Sequence, residues 1–434
     1  MKEALIVLAL ALFACGQSPP SANNSYGANP QLPAPQSGVI PTVHTARAVG
    51  WPANGAPHAP AGFLVTRYAQ GLRHPRFIYT LANGDVLVAE SSTQASSGGG
   101  VRGWIENAVQ GNAGALGESA NRITMLRDEN SDGVVDSHYD FAEGLNQPFG
   151  MALVGNHFYV ANTDSIMRFR YTPGAVRVPG RGTVILRLPH RDGDNGHWTR
   201  TLAVAPDGSK LYVSVGSSSN IADHGMAAEH GRAAIWQFNP DGTGARVFAS
   251  GLRNAAGLEF DPHSGDLWAA VNERDMLGDN LVPDYMTHVV EGGFYGWPYS
   301  YWGRHVDVRV QPQNAALVAT ALTPDFALGA HTASLGLHFY RGSALPEHYR
   351  NGAFVGQHGS WNRSEFVGYK VVFVPFANGR PIGPIEDFLT GFLNARSEAQ
   401  GRPVGVGEDS TGAVLVADDV GNIIWRVAPV SAAR

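Results

Sequence analysis

Short apolar runs alternate with turn-forming residues from about residue 62 to the end of the chain. In six places a turn rich in Gly, Asn, Asp or Pro precedes a run of aliphatic and aromatic residues, and these runs are 86–89, 157–162, 211–215, 267–271, 353–356 and 413–418. A turn followed by such a run predicts a β-strand that follows a hairpin. Several runs continue into another strand-like segment, for example at 234–238. Long amphipathic helices and heptads are absent from the pattern, so an all-β fold is predicted.

The spacing of the six units predicts how the strands are arranged. The units follow one another at roughly 50 to 90 residues, which favours radial repetition over a β-sandwich. We therefore predict an all-β fold of the six-bladed β-propeller type. A protein with several sheets and no circular closure is the alternative. The uneven spacing predicts long loops on one face, and functional sites are usually carried by such loops.

Composition narrows the range of functions. The chain of 434 residues is 44% hydrophobic, which is ample for a core, and its 53 Gly and 27 Pro favour turns over helices. The formal net charge of −6 excludes a strongly basic nucleic-acid binder, so we expect no nucleic-acid partner. With a single cysteine the chain can form neither an intrachain disulfide nor a Cys-based zinc site.

Residues 1–15 have the pattern of an export signal. An apolar run at 4–13 is too short to span a bilayer but fits the apolar region of a signal peptide. The run ends in Leu-Phe-Ala-Cys, which resembles a bacterial lipobox and predicts a lipid anchor on Cys15, hence a periplasmic or outer-membrane-associated lipoprotein. An ordinary signal peptide is the alternative. Residues 16–60, rich in Ser, Asn, Pro and Gly, predict a flexible linker, and 61–434 a β-propeller catalytic domain.

Two short stretches carry polar side chains beyond what strand packing needs. His197 lies in a Gly-rich loop directly before the predicted strand 202–204, a position that faces the central cavity of a propeller. Arg253 and Asn254 stand side by side between apolar residues, where they present a charge and an amide to an anionic ligand. A surface histidine and a loop-fixing salt bridge are the alternatives.

Two acidic loops are candidate calcium sites. The loop after the run 267–271 places Arg274 and Asp275 among carboxylates and amides, whose side-chain or carbonyl oxygens suit Ca²⁺. The other loop has oxygen ligands in the order of an EF-hand, but Tyr139 stands where an EF-hand has its bidentate Glu. Its ligands would be Asp128, Asn130, Asp132 and Asp136. Ordinary turns built on Asp and Asn are the alternative.

Motifs of three common enzyme classes are absent from the sequence. It contains no G-x-S-x-G nucleophile elbow, no Walker loop and no H-E-x-x-H helix. A lipase, an ATPase and a zinc protease are therefore not expected. From the residues alone, the chain is predicted to be an exported propeller with a polar pocket that offers oxygen ligands to calcium.

Four motifs follow one another in a specific order between about residues 71 and 427. They are Asp-Gly at 207–208 after His197, Gly-Leu-Arg-Asn at 251–254, Gly-Gly-Phe-Tyr-Gly-Trp-Pro at 292–298 and Gly-Arg-Pro-Val-Gly-Val at 401–406. In this order the sequence resembles the glucose/sorbosone dehydrogenase family of soluble quinoproteins, and it is most similar to the L-sorbosone dehydrogenase branch. The resemblance implies pyrroloquinoline quinone (PQQ) and Ca²⁺ as cofactors. It also implies oxidation of an aldose sugar or sugar-derived aldehyde, with electrons passed to a periplasmic quinone or cytochrome.

The resemblance implies roles for single residues. His197 would take the proton of the substrate hydroxyl as general base, while the carbon-bound hydrogen leaves as hydride to the quinone. Arg253 would stabilise the oxyanion that forms on the quinone, and Asn254 would contact the cofactor. Further cofactor contacts would come from Gln147, Arg363 and Arg402.

The chain departs from the family pattern at two places. The family's glucose oxidisers carry Asp directly before the base, where this chain has Gly196. The family binds calcium mainly through the carbonyls of a Gly-Pro pair, where this chain has Arg274 and Asp275. A metal-dependent lactonase or esterase on a propeller, and a non-catalytic surface binding lipoprotein, are the alternative functions.

Overall fold

The computed structural model describes residues 25–36, 42–94, 111, 114, 117–192 and 195–430. Cys15 and the rest of the predicted export signal lie outside these residues. Within them, no helix has the length and apolarity needed to cross a membrane. Six antiparallel sheets follow one another around a closed ring, so the predicted six-bladed β-propeller is confirmed.

Each blade consists mainly of consecutive strands that run outward from the central axis. Two strands precede the blades, β1 (Tyr26–Gly27) and β2 (Phe63–Gln70). Blade 1 consists of β3 (Pro75–Thr80), β4 (Val86–Glu90), β5 (Arg122–Arg127) and β6 (Ser137–Ala142). Blade 2 consists of β7 (Met151–Val154), β8 (His157–Ala161), β9 (Ser165–Arg170) and β10 (Thr183–Arg187). Blade 3 consists of β11 (Leu202–Val204), β12 (Leu211–Val215), β13 (Ala234–Phe238) and β14 (Arg246–Ser250), with a 3₁₀ turn at Met226–Glu229.

Blades 4 to 6 complete the ring. Blade 4 consists of β15 (Asn254–Phe260), β16 (Leu267–Asn272), β17 (Pro283–His288) and β20 (Phe326–Ala330). Between β17 and β20 lie a hairpin of β18 (Ser300–Tyr301) and β19 (His305–Val306) and the helix α1 (Ala315–Val318). Blade 5 consists of β21 (His338–Phe339), β22 (Gly352–Gln357), β23 (Lys370–Ala377), β24 (Arg380–Pro381) and β25 (Glu386–Leu389), with a 3₁₀ turn at Glu347–Tyr349. Blade 6 consists of β26 (Pro403–Glu408), β27 (Val414–Asp418), β28 (Ile423–Pro429) and β2.

The ring is closed by pairing between the first long strand and the last one. β2 runs antiparallel to β28, from Phe63 opposite Pro429 to Gln70 opposite Ile423. The outermost strand of blade 6 thus precedes blade 1 in the chain, whereas its three inner strands follow blade 5. Backbone hydrogen bonds therefore tie the two ends of the propeller to each other.

Apolar side chains fill the space between neighbouring blades. The second strand of each blade is buried on both faces, and its alternate side chains point to the two adjacent blades. In β4, Val86 and Val88 pack towards blade 6, whereas Leu87 and Ala89 pack towards blade 2. This double burial explains the continuous apolar runs in the sequence, which coincide with second strands to within one residue.

The structure places the described part of the predicted linker against the propeller. Tyr26 and Gly27 pair with the outer strand of blade 4. Ala46 is 1% exposed in the core shared by blades 5 and 6, and Trp51 Nε1 donates to an Asp418 carboxylate oxygen at 2.6 Å. These described residues belong to the folded domain instead of a tether, because the few apolar and aromatic side chains among the polar ones find partners on the blades.

A buried histidine connects the innermost strands of three blades. His338 in β21 lies 3.3 Å from a Glu259 carboxylate oxygen in β15 and 3.6 Å from one of Glu408 in β26. Burial alone would lower the pKa of His338, but the charges of Glu259 and Glu408 raise it to about 9. The protonated ring therefore holds two carboxylates together at neutral pH.

This cluster predicts a pH dependence of stability. The pKa of His338 in the folded state, about 9, lies above its ordinary value of 6.5, so its contribution is complete below about pH 6.5 and is lost as the pH rises through 9. We expect His338→Gln to lower the free energy of unfolding at pH 6 by on the order of 2 kcal/mol, because Glu408 loses its cation and Glu259 keeps only Arg341. Urea unfolding from pH 6 to 9.5 measures both effects, with the exposed His263→Gln as control. An equal pH slope in wild type and His338→Gln would contradict this assignment.

Candidate active site

The polar residues singled out from the sequence gather mostly on one face of the propeller. In every blade the innermost strand begins, and the second strand ends, on the same face, because the two strands are antiparallel. We call this the upper face. The loops on it carry Gln147, His197, Arg253, Asn254, Arg274, Asp275, Arg363 and Arg402. The acidic loop 128–136 joins β5 to β6 and lies on the opposite, lower face.

His197 is held with one ring nitrogen free. Its Nδ1 lies 3.1 Å from the carbonyl oxygen and 3.0 Å from Oγ of Ser217. A carbonyl only accepts, so Nδ1 carries the hydrogen and Nε2 keeps its lone pair; none of the described residues bonds to Nε2. Burial, followed by the charge of Arg253, holds the pKa of His197 well below its usual value. The ring is therefore neutral at neutral pH, with Nε2 as the proton acceptor.

Two glycines allow the His197 loop to pack this closely. A Cβ at Gly196, whose φ is +60°, would lie 2.2 Å from the carbonyl oxygen of Ser218. A Cβ at Gly216 would lie 2.6 Å from both His197 Cβ and Asn254 Oδ1. Neither contact is sterically possible, so any other residue at position 196 would move the base away from Ser217. The glycine found where the family has Asp is thus required by packing.

Arg253 lies at the centre of a network of buried charges. Its guanidinium donates to Asn220 Oδ1 at 3.0 Å and to the carbonyl oxygen of Glu273 at 2.6 Å. It also pairs with Asp275 at 3.2 Å, and the other oxygen of this carboxylate lies 3.1 Å from His331 Nδ1. Burial raises the pKa of Asp275, but the His331 hydrogen bond and the Arg253 charge lower it further than burial raises it. Asp275 is therefore ionised, and its carboxylate connects Arg253 to His331.

The predicted calcium ligands Arg274 and Asp275 are already occupied by protein groups. The carbonyl oxygen of Asp275 accepts from Arg274 Nε at 3.1 Å, from Arg274 Nη2 at 2.7 Å and from Asn220 Nδ2 at 3.2 Å. Arg274 is itself buried and paired with Asp307. A cation at this carbonyl would have to displace a guanidinium, so the donor set does not fit Ca²⁺ in this arrangement. Calcium at residues 274–275 stays a prediction.

The loop with the EF-hand order makes ordinary turns. Asp128 and Asn130 both accept the backbone N–H of Asp132, at 3.2 and 2.9 Å. Asp136 accepts the N–H of Glu129 at 2.7 Å. The proposed ligands thus accept hydrogen bonds from the loop's own backbone, and calcium at this loop stays a prediction. Within the part of the chain that the structure describes, no three His, Cys, Asp or Glu side chains are grouped so as to hold a metal ion.

The same loop borders an open cavity of about 460 Å³ on the lower face. Asp85 and Asp409 line this cavity, and each is paired with an arginine, Arg127 at 2.7 Å and Arg426 at 2.6 Å respectively. The cavity lies on the face opposite to His197, and these two acids are neutralised. It is therefore not part of the candidate active site.

A second group of charges lies next to the first on the upper face. Arg76 pairs with Asp419, and His358 Nε2 lies 3.0 Å from the same carboxylate. Burial raises the pKa of Asp419, but His358 and Arg76 hold it far below its usual value. The guanidinium of Arg76 also lies 5.4 Å from the ring centroid of Trp198, the residue after His197. Trp198 thereby connects the two groups of charges.

Arg402 is buried in the same region without a counter-charge. Its guanidinium lies 4.9 Å from the ring centroid of Tyr369, and Nη2 donates to the carbonyl oxygen of Ala46 at 3.3 Å. Among the described residues no carboxylate pairs with this side chain. The Nε atoms of both Arg402 and Arg76 are buried without a hydrogen-bond acceptor. Buried guanidinium groups with unused N–H donors are suited to an anionic ligand.

The other predicted cofactor residues hold loops of the upper face. Gln147 Nε2 donates to the carbonyl oxygen of Ser92 at 2.9 Å, and Arg363 donates to that of Asp279. Asn254 is 5% exposed as the first residue of β15. The structure thus brings all three to the upper face, with the amide nitrogen of Gln147 and one Arg363 nitrogen bonded to neighbouring loops.

Five side chains of the site are missing from the sequence prediction: Arg76, Asn220, His331, His358 and Asp419. Three of them follow a second strand, as Asn220 follows β12, His358 follows β22 and Asp419 follows β27. A polar residue directly after a buried apolar run is the sequence signal that would have found His358 and Asp419, whereas residues 216–219 separate Asn220 from β12. Arg76 has no such signal, because it lies within β3 and its partner Asp419 lies in blade 6, whereas His331 directly follows the buried strand β20 of its partner's own blade.

The low pKa of His197 gives a testable prediction. Arg253→Met removes a positive charge beside a buried imidazole, so we expect the pKa of His197 to rise towards its usual value. NMR titration of the ring nitrogens in protein with ¹⁵N-labelled histidine measures this, with the His197 signal assigned by His197→Asn. Exposed His263, on the lower face, serves as the internal reference. An unchanged His197 titration in Arg253→Met would show that the two groups do not interact.

Comparison with known proteins identifies one family. The sequence model of the TrAA12-like family matches residues 57–289 and 307–429. An uncharacterised protein of Borreliella burgdorferi is 30% identical over 301 residues, which cover 67% of this chain and 77% of that protein. A pyrroloquinoline quinone-dependent pyranose dehydrogenase of Coprinopsis cinerea is 25% identical over 390 residues, which cover 78% of this chain. The match takes in only 48% of the length of that enzyme.

Solved structures share the fold. The holo form of the pyranose dehydrogenase PQQ domain from Coprinopsis cinerea superposes with a TM-score of 0.68 at 22% identity, over 88% of this chain and 100% of that chain. A calcium structure of a Trichoderma reesei enzyme of Carbohydrate-Active Enzymes Family AA12 gives 0.70 at 19% identity, over 89% and 100%. The resemblance to the quinoprotein dehydrogenases is thus confirmed at the level of the family, whereas the sorbosone branch stays a prediction. Because the family's sequence model covers most of the propeller, this chain belongs to the TrAA12-like family.

Proposed function

We propose that this protein is a PQQ-dependent dehydrogenase that oxidises an aldose sugar or a sugar-derived aldehyde. Relatives from Coprinopsis cinerea and Hypocrea jecorina carry the names PQQ-dependent pyranose dehydrogenase and PQQ-dependent sugar dehydrogenase. The observation that carries the proposal is the neutral imidazole of His197, whose Nε2 is free, beside the fixed guanidinium of Arg253.

The upper face fits an anionic, flat cofactor such as PQQ, which is a tricarboxylate. Arg402 has no carboxylate partner among the described residues, and a buried guanidinium without a counter-charge is unfavourable until an anion neutralises it. Arg76 shares its carboxylate partner with His358. Both arginines have a buried Nε–H to donate, and both lie over an aromatic ring. Arg76 and Arg402 would therefore hold carboxylates of the cofactor.

PQQ supplies the two-electron acceptor that receives the hydride from the substrate carbon. The protein supplies the base, because Nε2 of His197 accepts the proton as the substrate O–H bond breaks. Nδ1–H stays bonded to the Ser217 carbonyl throughout, which keeps the ring in one orientation and stabilises the imidazolium. The proton is then released to water, since the pKa of His197 lies below its usual value.

Arg253 supplies a positive charge in a fixed position. Asn220, Asp275 and the Glu273 carbonyl hold its guanidinium, so the charge needs no reorganisation as negative charge develops on the acceptor. Burial, followed by this charge, lowers the pKa of His197 and so favours its unprotonated form before substrate binds. Arg253 would thus favour the unprotonated form of His197 before the reaction and stabilise the negative charge that hydride transfer creates.

The roles given to His197 and Arg253 do not require calcium at residues 274–275. Arg274 and Asn220 occupy the Asp275 carbonyl, so metal binding there requires these N–H groups to leave first. A metal-dependent lactonase needs carboxylates that converge on one axial metal, and the described residues contain no such group. The dehydrogenase is therefore the better supported function.

The substrate class, acceptor and location extend the proposal. Trp198, 6% exposed and bonded through Nε1 to Thr93 Oγ1 at 3.0 Å, fills the space directly after the base. We propose as substrate an aldose or the hydrate of a sugar-derived aldehyde such as sorbosone, since either carries the O–H whose proton His197 would accept. The apolar N-terminus supports export, a lipid anchor on Cys15 and a periplasmic quinone or cytochrome as electron acceptor.

The test separates cofactor binding from chemistry. We expect His197→Asn to bind PQQ as wild type does but to lose turnover by about 10²- to 10⁴-fold, because only the proton-transfer step is affected. PQQ binding is measured by visible absorption of the full-length chain, once with Ca²⁺ and once with EDTA, and turnover by dye reduction across sugars and aldehydes.

His263→Asn, an exposed histidine on the lower face, is the matched control and should retain full turnover. Absence of PQQ binding in both metal conditions would refute the proposed function. Full turnover in His197→Asn would assign the base to another residue, and PQQ binding without turnover in wild type on every substrate would favour a non-catalytic binding protein.

A further inference from the structure

The N-terminal segment crosses the upper face directly beside the charges described above. We call residues 42–51 the strap. Its His44 N–H donates to the Trp361 carbonyl oxygen at 2.9 Å, and its Val49 N–H donates to that of Ala399 at 2.8 Å. The strap therefore joins the loop after β22 in blade 5 to the segment that leads into β26 in blade 6.

The strap contacts the guanidinium of Arg402 directly and its backbone N–H through Asp418. The carbonyl oxygen of Ala46 accepts from Arg402 Nη2 at 3.3 Å. Trp51 Nε1 donates to one oxygen of Asp418 at 2.6 Å, and the other oxygen of this carboxylate accepts the backbone N–H of Arg402 at 2.8 Å. Both ends of an arginine without a counter-charge are thus positioned, directly or through Asp418, by the strap.

Asn362 connects the strap to the network around Arg253. Its Nδ2 donates to the Thr42 carbonyl oxygen at 2.5 Å, and its Oδ1 accepts the backbone N–H of Met276 at 2.7 Å. Met276 has a positive φ of 69° and directly follows Asp275, the partner of Arg253. Asn362 is 4% exposed, and both of its amide atoms are used. Among the described residues, Asn362 is the one whose side chain forms hydrogen bonds both to the strap and to the turn after Asp275.

Further contacts hold the strap and the same turn. The His44 ring stacks on Phe366 at 4.1 Å between centroids, and Nδ1 lies 2.9 Å from the carbonyl oxygen of Ser364. Earlier in the N-terminal segment, Gln36 N–H donates to the Leu277 carbonyl oxygen at 2.9 Å. The turn at 275–279 is therefore bonded directly to Gln36, which precedes the propeller, and through Asn362 to the strap.

We infer that the strap and Asn362 are positioning elements of the cofactor site, which fix Arg402 and the turn that carries Asp275; the inference rests on the proposed function. Ring closure does not need the strap, because β2 and β28 begin their pairing at Phe63, beyond it. Loss of the strap contacts should therefore weaken PQQ binding more than it weakens the fold.

Two substitutions break the connection at different points. His44→Ala removes the stacking and the Ser364 contact on the strap. Asn362→Asp keeps an acceptor for the Met276 N–H but removes the donor to Thr42. We expect each to raise the Kd of PQQ by about tenfold, as the loss of one or two hydrogen bonds would, with turnover recovered at saturating PQQ. Amide hydrogen exchange in residues 273–281 and 398–403 should become faster in both.

His348→Ala is the matched control, since it also removes a histidine that bonds to a neighbour, Glu386, and contacts an aromatic ring, Tyr349, on the lower face. It should change neither the Kd nor the exchange of the two segments. If His44→Ala and Asn362→Asp both leave the Kd of PQQ and the amide exchange unchanged, the inference is overturned while the proposed function stays intact.

If wild type binds no PQQ, the proposed function fails, and the exchange measurement still decides the inference. Faster exchange at 273–281 in His44→Ala, a substitution in a distant part of the sequence, would then support the positioning role. Unchanged exchange would overturn it. Turnover that stays low at saturating PQQ would also overturn it, since it would indicate general damage to the site.

Discussion

Backbone pairing between β2 and β28 sets the circumference of the ring, and the geometry of the upper face depends on it. A blade is positioned only by its two neighbours, so six blades surround one axis only when the first and last are joined. The loops before innermost strands and after second strands then converge. Arg76 from blade 1 and Asp419 from blade 6 form a buried ion pair for this reason alone.

Desolvation gives the converged charges their properties. In water His197 and Asp275 would titrate as ordinary groups, but at the centre of the ring each is defined by its nearest partner. Arg253 and burial keep His197 neutral, whereas Arg253 and His331 keep Asp275 ionised. One guanidinium thus prepares a base and is itself held by a carboxylate.

The departures from the family pattern have steric and electrostatic causes. Gly196 replaces an expected Asp because the backbone there lies against Ser218. At the loop where the family places calcium, Arg274 donates to the Asp275 carbonyl and is neutralised by Asp307, a residue just after the hairpin β18–β19. The Asp275 carbonyl oxygen is therefore already bonded to a guanidinium whose own charge is neutralised.

The sequence by itself determined the fold and the side chains with the strongest local signal. Because the second strands are buried on both faces, the sequence contains six apolar runs, and motifs around His197, Arg253 and Arg402 identify loops of the upper face. Only the tertiary structure decided the partners. His331 meets Asp275 across 56 residues, and Asn362 meets Thr42 across 320. Such contacts join separate strands of one blade, or the N-terminal segment to a blade, so they depend on the folded arrangement and leave no periodic trace in the sequence. The described residues of the N-terminal segment, polar in composition, pack on the blades through contacts of the same kind.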